Sequence, residues 1–283
     1  MVLKAAYIVA HPPLAVPEVG RGEERGIADT IGAYREVARR VAAHRPDTVL
    51  FISPHTAYYG DWIYLAGGQR AHGSFAEFGA PGISFSLQYD TGFRDALDGA
   101  AASAGVRAGC VTDKARELDH GVLVPLYFIA QELPPSSYRA LCIGGSGLPA
   151  EELLAFGRCL ARVAAEREGA AVLVVSGDLS HKLKADGPYG FDPAGPLFDA
   201  AFGEVVRSGK PLGFAGLDPK TCRDAAECGL SGFIMLAGAL DETERLGKGP
   251  FSSELLSLEG PFGVGYGMAA FEGGQGEGGQ GYV

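Results

Sequence analysis

Short apolar runs alternate along this chain with longer stretches in which apolar residues recur every three or four positions. The runs "LKAAYIVA" (3–10), "DTVLFIS" (47–53), "YRALCIGGS" (138–146) and "AAVLVVSGD" (170–178) end at Pro, Gly, Ser or Asp. Such runs predict strands buried on both faces. Between them, residues 21–45 carry Ile27, Ile31, Val37 and Val41 at near-helical spacing, which predicts an amphipathic helix. Helices are also predicted over 92–105, from Pro149 to about 168, over 194–208 and over 219–240. The run 121–133 has no alternation and contains Pro125, so it reads as a buried helix bent at that residue. "DWIYLAGG" and "GISFSLQYD" read as strands of mixed character, and "SELLSLEG" and "GVGYGMAAFE" as a closing pair. Strand, helix, strand at the start is the parallel crossover unit. The expected architecture is one α/β domain over 1–272, with a central, mostly parallel mixed sheet and helices on both faces. The stretch 273–283 reads as a flexible Gly-rich tail, or as the start of a linker to another domain.

Composition narrows the function classes. The formal net charge of −10 argues against nucleic-acid backbones and anionic membrane surfaces as partners. No apolar run reaches the ~18 residues of a membrane span. Five cysteines without a CxxC pair suggest buried thiols in a reducing compartment, hence a cytoplasmic location.

Four of the six histidines follow apolar strands or sit in tight turns: His11 in "VAHPPL", His55 in "ISPHT", His120 in "LDHGVLVPL" and His181 in "GDLSHKL". Open α/β sheets build their sites outside the carboxyl ends of strands. A single histidine there is more often a hydrogen-bonded turn residue than a ligand; four in such places point to metal or acid–base chemistry. His11 and His55 end the two strands of the first crossover unit, where neighbouring parallel strands lie ~4.8 Å apart. His44 reads as a helix-terminal charge and His72 as a loop residue.

Two imidazoles and one carboxylate form a facial triad suited to non-haem Fe(II). Glu227 is the candidate carboxylate, at the entrance of an apolar helical stretch where a charge is costly unless paired or metal-bound. It would equally serve as a solvent-facing residue or a cap on the helix dipole. Cys228 is the rival donor, and a thiolate with two imidazoles suits zinc or copper better.

The motifs "AHPPL", "SPHT", "LDHGVLVPL" and "SGDLSH", in this order, resemble those of the class III extradiol dioxygenase superfamily. That superfamily includes the catalytic subunit of protocatechuate 4,5-dioxygenase and the related Memo family. The C-terminal "EGPFGVGYG" is similar to the Memo and AmmeMemoRadiSam-associated branch. The resemblance implies Fe(II) held by His11 and His55, with His181 as catalytic acid–base and His120 lining the pocket against substrate. It implies Glu227 as third ligand by the dioxygenase pattern and Cys228 by the Memo pattern; Glu227 is the expected ligand because it completes the facial triad. The implied activity is an Fe(II)-dependent extradiol-type dioxygenase acting on a catechol-like aromatic with dioxygen. The alternative is a Memo-like metal-binding or partner protein without ring cleavage. A homo-oligomer is expected, as is a fused or co-encoded AmmeMemoRadiSam-system domain. Asp178, Ser180 and Lys182 flank His181 and read as ring-orienting, substrate-holding or plain turn residues. Tyr189 reads as a pocket or packed loop aromatic.

Overall fold

The computed structural model describes residues 2–112 and 114–273. Along the chain the elements are β1 (Val2–Val9), α1 (Pro17–Gly20), α2 (Ala28–His44), β2 (Thr48–Ser53), β3 (Ile63–Tyr64), β4 (Arg70–Phe75), β5 (Ala80–Gln88) and α3 (Thr91–Ser103). They continue with β6 (Ala108–Gly109), α4 (His120–Glu132), β7 (Arg139–Gly144), α5 (Ala150–Ala165) and β8 (Ala170–Ser176). The last are α6 (Ala194–Arg207), α7 (Pro219–Ala225), α8 (Leu230–Arg245), β9 (Phe251–Glu259) and β10 (Tyr266–Gly273).

The central sheet has six strands in the order β7-β2-β8-β1-β10-β9. β7, β2, β8 and β1 are parallel, while β10 and β9 run antiparallel at one side. Alternate residues of each strand feed opposite faces. Ile8, Leu50, Ile52 and Val175 pack toward Leu97, Phe156, Phe198 and Phe233 of α3, α5, α6 and α8. Tyr7, Val9, Phe51 and Val174 pack toward Tyr34 and Val37 of α2 and Leu123 and Phe128 of α4. Both faces are therefore covered, which is why the parallel strands read as continuous apolar runs rather than alternating ones. The expected α/β class with a mixed, mostly parallel sheet is what the chain adopts.

Several boundaries differ from the sequence expectation. The first crossover helix starts at Ala28; residues Glu23–Ile27 form a 3-10 turn, entered through Gly22 at φ 110°. His72 lies in β4, part of a β4–β5 hairpin, and not in a loop. The "DWIYLAGG" stretch supplies only the two residues of β3. The stretch 219–240 is two helices. α7 closes where Ala226 takes φ 54°, a left-handed helix end, and α8 opens after Gly229. Glu227 and Cys228 therefore lie in the turn between helices.

The sheet does not pair the two strands of the opening crossover unit. β1 and β2 are joined by a crossover but are not neighbours, because β8 lies between them. Gly273, at the head of the expected tail, closes β10, and 274–283 lie outside the described residues.

Candidate metal centre

The carboxyl ends of β1, β8 and β2 converge on one place. Past β1 comes Ala10-His11, past β2 comes Pro54-His55, and past β8 comes the segment Gly177–His181. Two strand spacings of ~4.8 Å separate β1 from β2. The imidazoles close that gap across Ser176, which ends β8, and Gly177, which follows it. A Cβ on Gly177 would stand 2.3 Å from the Gly229 Cα, so only glycine lets the α7–α8 turn rest on this strand end.

His11, His55 and His120 come together there, with one ring nitrogen of each within 4.8 Å of the others. The Nε2 atoms of His11 and His55 are 3.2 Å apart. Two nitrogens bound to one ion at ~2.1 Å with a tetrahedral angle lie about 3.4 Å apart, so the pair already has the spacing that a shared metal imposes. The His120 ring lies 4.1 Å from that of His55 and 5.2 Å from that of His11, centroid to centroid. Phe78, from the turn of the β4–β5 hairpin, packs edge-on against His120.

The His11 ring is held from behind. His11 is buried; its Nδ1 is 2.6 Å from Ser176 Oγ, and its backbone N–H donates to Asp178 Oδ1. With Nδ1–H donating to the serine, Nε2 keeps its lone pair for a cation. Burial, with help from the His55 ring, pushes the His11 pKa down to about 3; burial and the two other rings do the same to His120. Neutral imidazoles are the form that ligates metal.

Cys228 Sγ is 3.6 Å from His11 Nε2, close to the ~3.6 Å expected between sulfur and nitrogen on one tetrahedral ion. Burial raises the thiol well above its usual value, so an ion or another cation is needed to favour the thiolate. Glu227 is turned elsewhere. Its Oε2 accepts from the backbone N–H of Leu230, capping α8, and burial raises its pKa to about 7. The structure thus brings His120 to the His11–His55 pair and Cys228 to His11 alone, while the Glu227 carboxylate serves the start of α8. The sequence signal for that cap was the three-residue spacing from Glu227 to the first turn of α8.

His181 stands apart from the three-ring group. Its backbone N–H donates to Ala225 O, Ser180 N–H donates to Asp199 Oδ1, and Gly265 N–H donates to Ser180 O. The segment is thereby clasped between α6, α7 and β10. Tyr189 lies edge-on over the imidazole, 5.0 Å between centroids, although 55% of Tyr189 is exposed. His181 Nδ1 is buried without a hydrogen-bond partner. Lys182 Nζ donates to Tyr189 O, which ties the tyrosine loop back to the His181 segment. Asp178 faces His11, its Oδ2 3.9 Å from Nε2, and is close enough to the His181 ring to interact with it electrostatically. Sequence reasoning missed Asp119, which takes hydrogen bonds from the His55 loop, and Asp199; both are isolated carboxylates whose partners come from distant segments.

The model of the family described as the catalytic LigB subunit of aromatic ring-opening dioxygenase matches residues 5–269. The chain belongs to that family. It is 36% identical over 281 aligned residues to Protein CA_C1420 of Clostridium acetobutylicum, covering 96% of this chain and 58% of that protein. The chain therefore spans little more than half the length of this curated relative. A crystal structure of the uncharacterized protein JW3007 from Escherichia coli K12 has the same fold, with a TM-score of 0.57 at 14% identity, over 95% of this chain and all of that one. The family is one of dioxygenase-type oxidoreductases, and the three-histidine cluster sits where the sheet presents its strand ends.

Proposed function

We propose that this domain is a non-haem Fe(II)-dependent extradiol-type dioxygenase acting on a catechol-like or related oxygen-chelating aromatic. The observation that carries the proposal is the 3.2 Å approach of the His11 and His55 Nε2 atoms inside the three-imidazole cluster of a ring-opening dioxygenase family. His11 and His55 anchor the ion; His120 is within reach of it and faces the substrate side. When bound, Fe(II) supplies the redox chemistry with dioxygen and an anchor for substrate oxygens.

The chain's own residues supply the rest. His181, outside the ligand group, takes a phenolic proton and later returns one, and Nε2 is the nitrogen for that task because Nδ1 is enclosed. Tyr189 shields one side of the ring. Phe78 packs against His120 and His11 is buried, while His55 is exposed and leaves the cluster open to incoming substrate on that side. The free cysteines suit a reducing, cytoplasmic compartment. No helix among the described residues is long and apolar enough to cross a membrane.

The test is anaerobic loading with Fe(II), followed by oxygen uptake across a panel of catechols and aminophenols. Uptake with ring-cleaved product is expected for at least one diol. Iron-loaded protein inert toward the whole panel would leave the second reading, a Memo-like metal-binding module without ring cleavage. The Cys228 thiol beside His11, with Glu227 occupied at α8, is the observation on that side. For either reading, self-association is read by sedimentation, and a fused or co-encoded AmmeMemoRadiSam-system domain is read by co-purification.

A further inference from the structure

Asp119 immediately precedes His120, and its side chain is engaged more widely than a helix cap requires. Its Oδ1 accepts from Ser53 Oγ at 2.7 Å, and its Oδ2 from Thr56 Oγ1 at 2.6 Å. The capping contact, Val122 N–H to Oδ1, is the longest of the three at 3.3 Å. A plain N-cap needs only that last bond.

The two shorter bonds reach the residues on either side of the Pro54-His55 pair. Ser53 Oγ also accepts from the backbone N–H of His55 at 3.1 Å. A continuous relay therefore runs from the His55 N–H through the Ser53 hydroxyl to the carboxylate that starts the His120 helix. The close approach is built into the backbone. A Cβ on Gly121 would stand 2.3 Å from Ser53 Oγ and 3.2 Å from Ser176 Oγ, the hydroxyl that holds His11. Only glycine lets α4 begin this near the ends of β2 and β8.

We infer that Asp119 is the positioning residue that locks the His55 loop onto the start of the His120 helix and thereby sets the affinity of the centre for its metal. This rests on the metal-site reading above. Groups that orient ligands from behind typically contribute 10–100-fold in metal affinity. The carboxylate does so here for two imidazoles at once, without touching the ion.

The experiment is Co(II) titration of the full chain against a competing chelator, with melting of each metal-free variant in parallel. Asp119→Ala should weaken Co(II) binding 10–100-fold, and Ser53→Ala and Thr56→Val each several-fold. Adding Ser53→Ala to Asp119→Ala should cost little more, because one relay has already been cut. The absorption bands of bound Co(II) should change in the variants, which a general loss of stability would not produce. Ser53→Ala and Thr56→Val are small changes that decide the matter even if Asp119→Ala does not fold. Folded Ser53→Ala and Thr56→Val proteins that bind Co(II) as tightly as wild type would overturn the role of Asp119 and leave the metal reading intact. Wild-type protein that binds no Co(II) would overturn both.

Discussion

The cluster of His11, His55 and His120 and the segment bearing His181 share one end of the sheet, yet they are built in opposite ways. The first three rings are packed against one another and fixed by short bonds to Ser176 and, through the loop and helix that carry them, Asp119. His181 is fixed through its main-chain bond to Ala225 and through its neighbour Ser180, held by Asp199 and Gly265, while its ring touches Tyr189 and keeps one nitrogen without a partner. A ligand needs a fixed lone pair; a proton carrier needs a fixed position and a ring free to change its protonation. The largest expected effect tests this division. His55→Ala should lower metal affinity by more than about 100-fold, beyond the range for groups acting from behind a ligand. His181→Ala should retain the metal and lose about 10²–10⁴-fold in kcat, the usual span for a general acid–base. Metal analysis of both proteins beside turnover is the measurement. Metal loss in His181→Ala would merge the two regions into one ligand set.

Much of this end of the molecule was legible in the sequence, for a physical reason. Parallel strands buried on both faces leave long apolar runs, and the polar residues after them must lie at strand ends. His11, His55 and His181 were placed in that way. What failed was adjacency. The local pattern of β1 and β2 carries no information about β8 inserting between them, since strand order is set by packing among distant segments. The rings still meet because β8 ends at Ser176 and is followed by Gly177, residues with nothing bulky to separate them. The break at 226–229 was hidden too. Ala226 in a left-handed conformation is not a residue that announces a helix end, and its turn decides where Glu227 and Cys228 point.

That turn supplies the next test, at the boundary between the two regions. Cys228 Sγ faces His11, and its backbone N–H donates to Asp178 O; Glu227 serves α8. Cys228→Ser should weaken metal binding by about 10–100-fold. Glu227→Gln should leave metal affinity within a few-fold of wild type and cost about 1 kcal/mol or less as a weakened cap, since the amide oxygen still accepts from Leu230 N–H. Chelator competition and thermal melting separate these outcomes. The reverse order, with Glu227→Gln losing the metal, would require the carboxylate to leave the helix start on loading and would restore the two-histidine, one-carboxylate triad.

The smallest expected effect concerns the clasp of the His181 segment. Asp199 is buried on α6, and that burial raises its carboxyl to about 7; the Ser180 N–H, favouring the charged form, only partly offsets this. The folded protein then holds its proton more tightly than the unfolded chain, whose Asp titrates near ~3.9. Between those values the folded state binds more protons, so this group makes stability fall as pH rises from about 4 to about 7. Its full penalty, at most about 4 kcal/mol, is present above that window and absent below it. Asp199→Asn keeps an oxygen to accept from Ser180 and removes the ionisation. The variant should match wild type near pH 4.5 and melt several degrees higher near pH 8.5, with kcat within a few-fold and metal content unchanged. A stability gap that does not grow with pH would mean that the carboxylate is ionised at little cost where it holds Ser180. The His181 segment would then be clasped by a carboxylate that ionises at little cost, and the pH-sensitive contrast between the two regions would narrow to their rings alone.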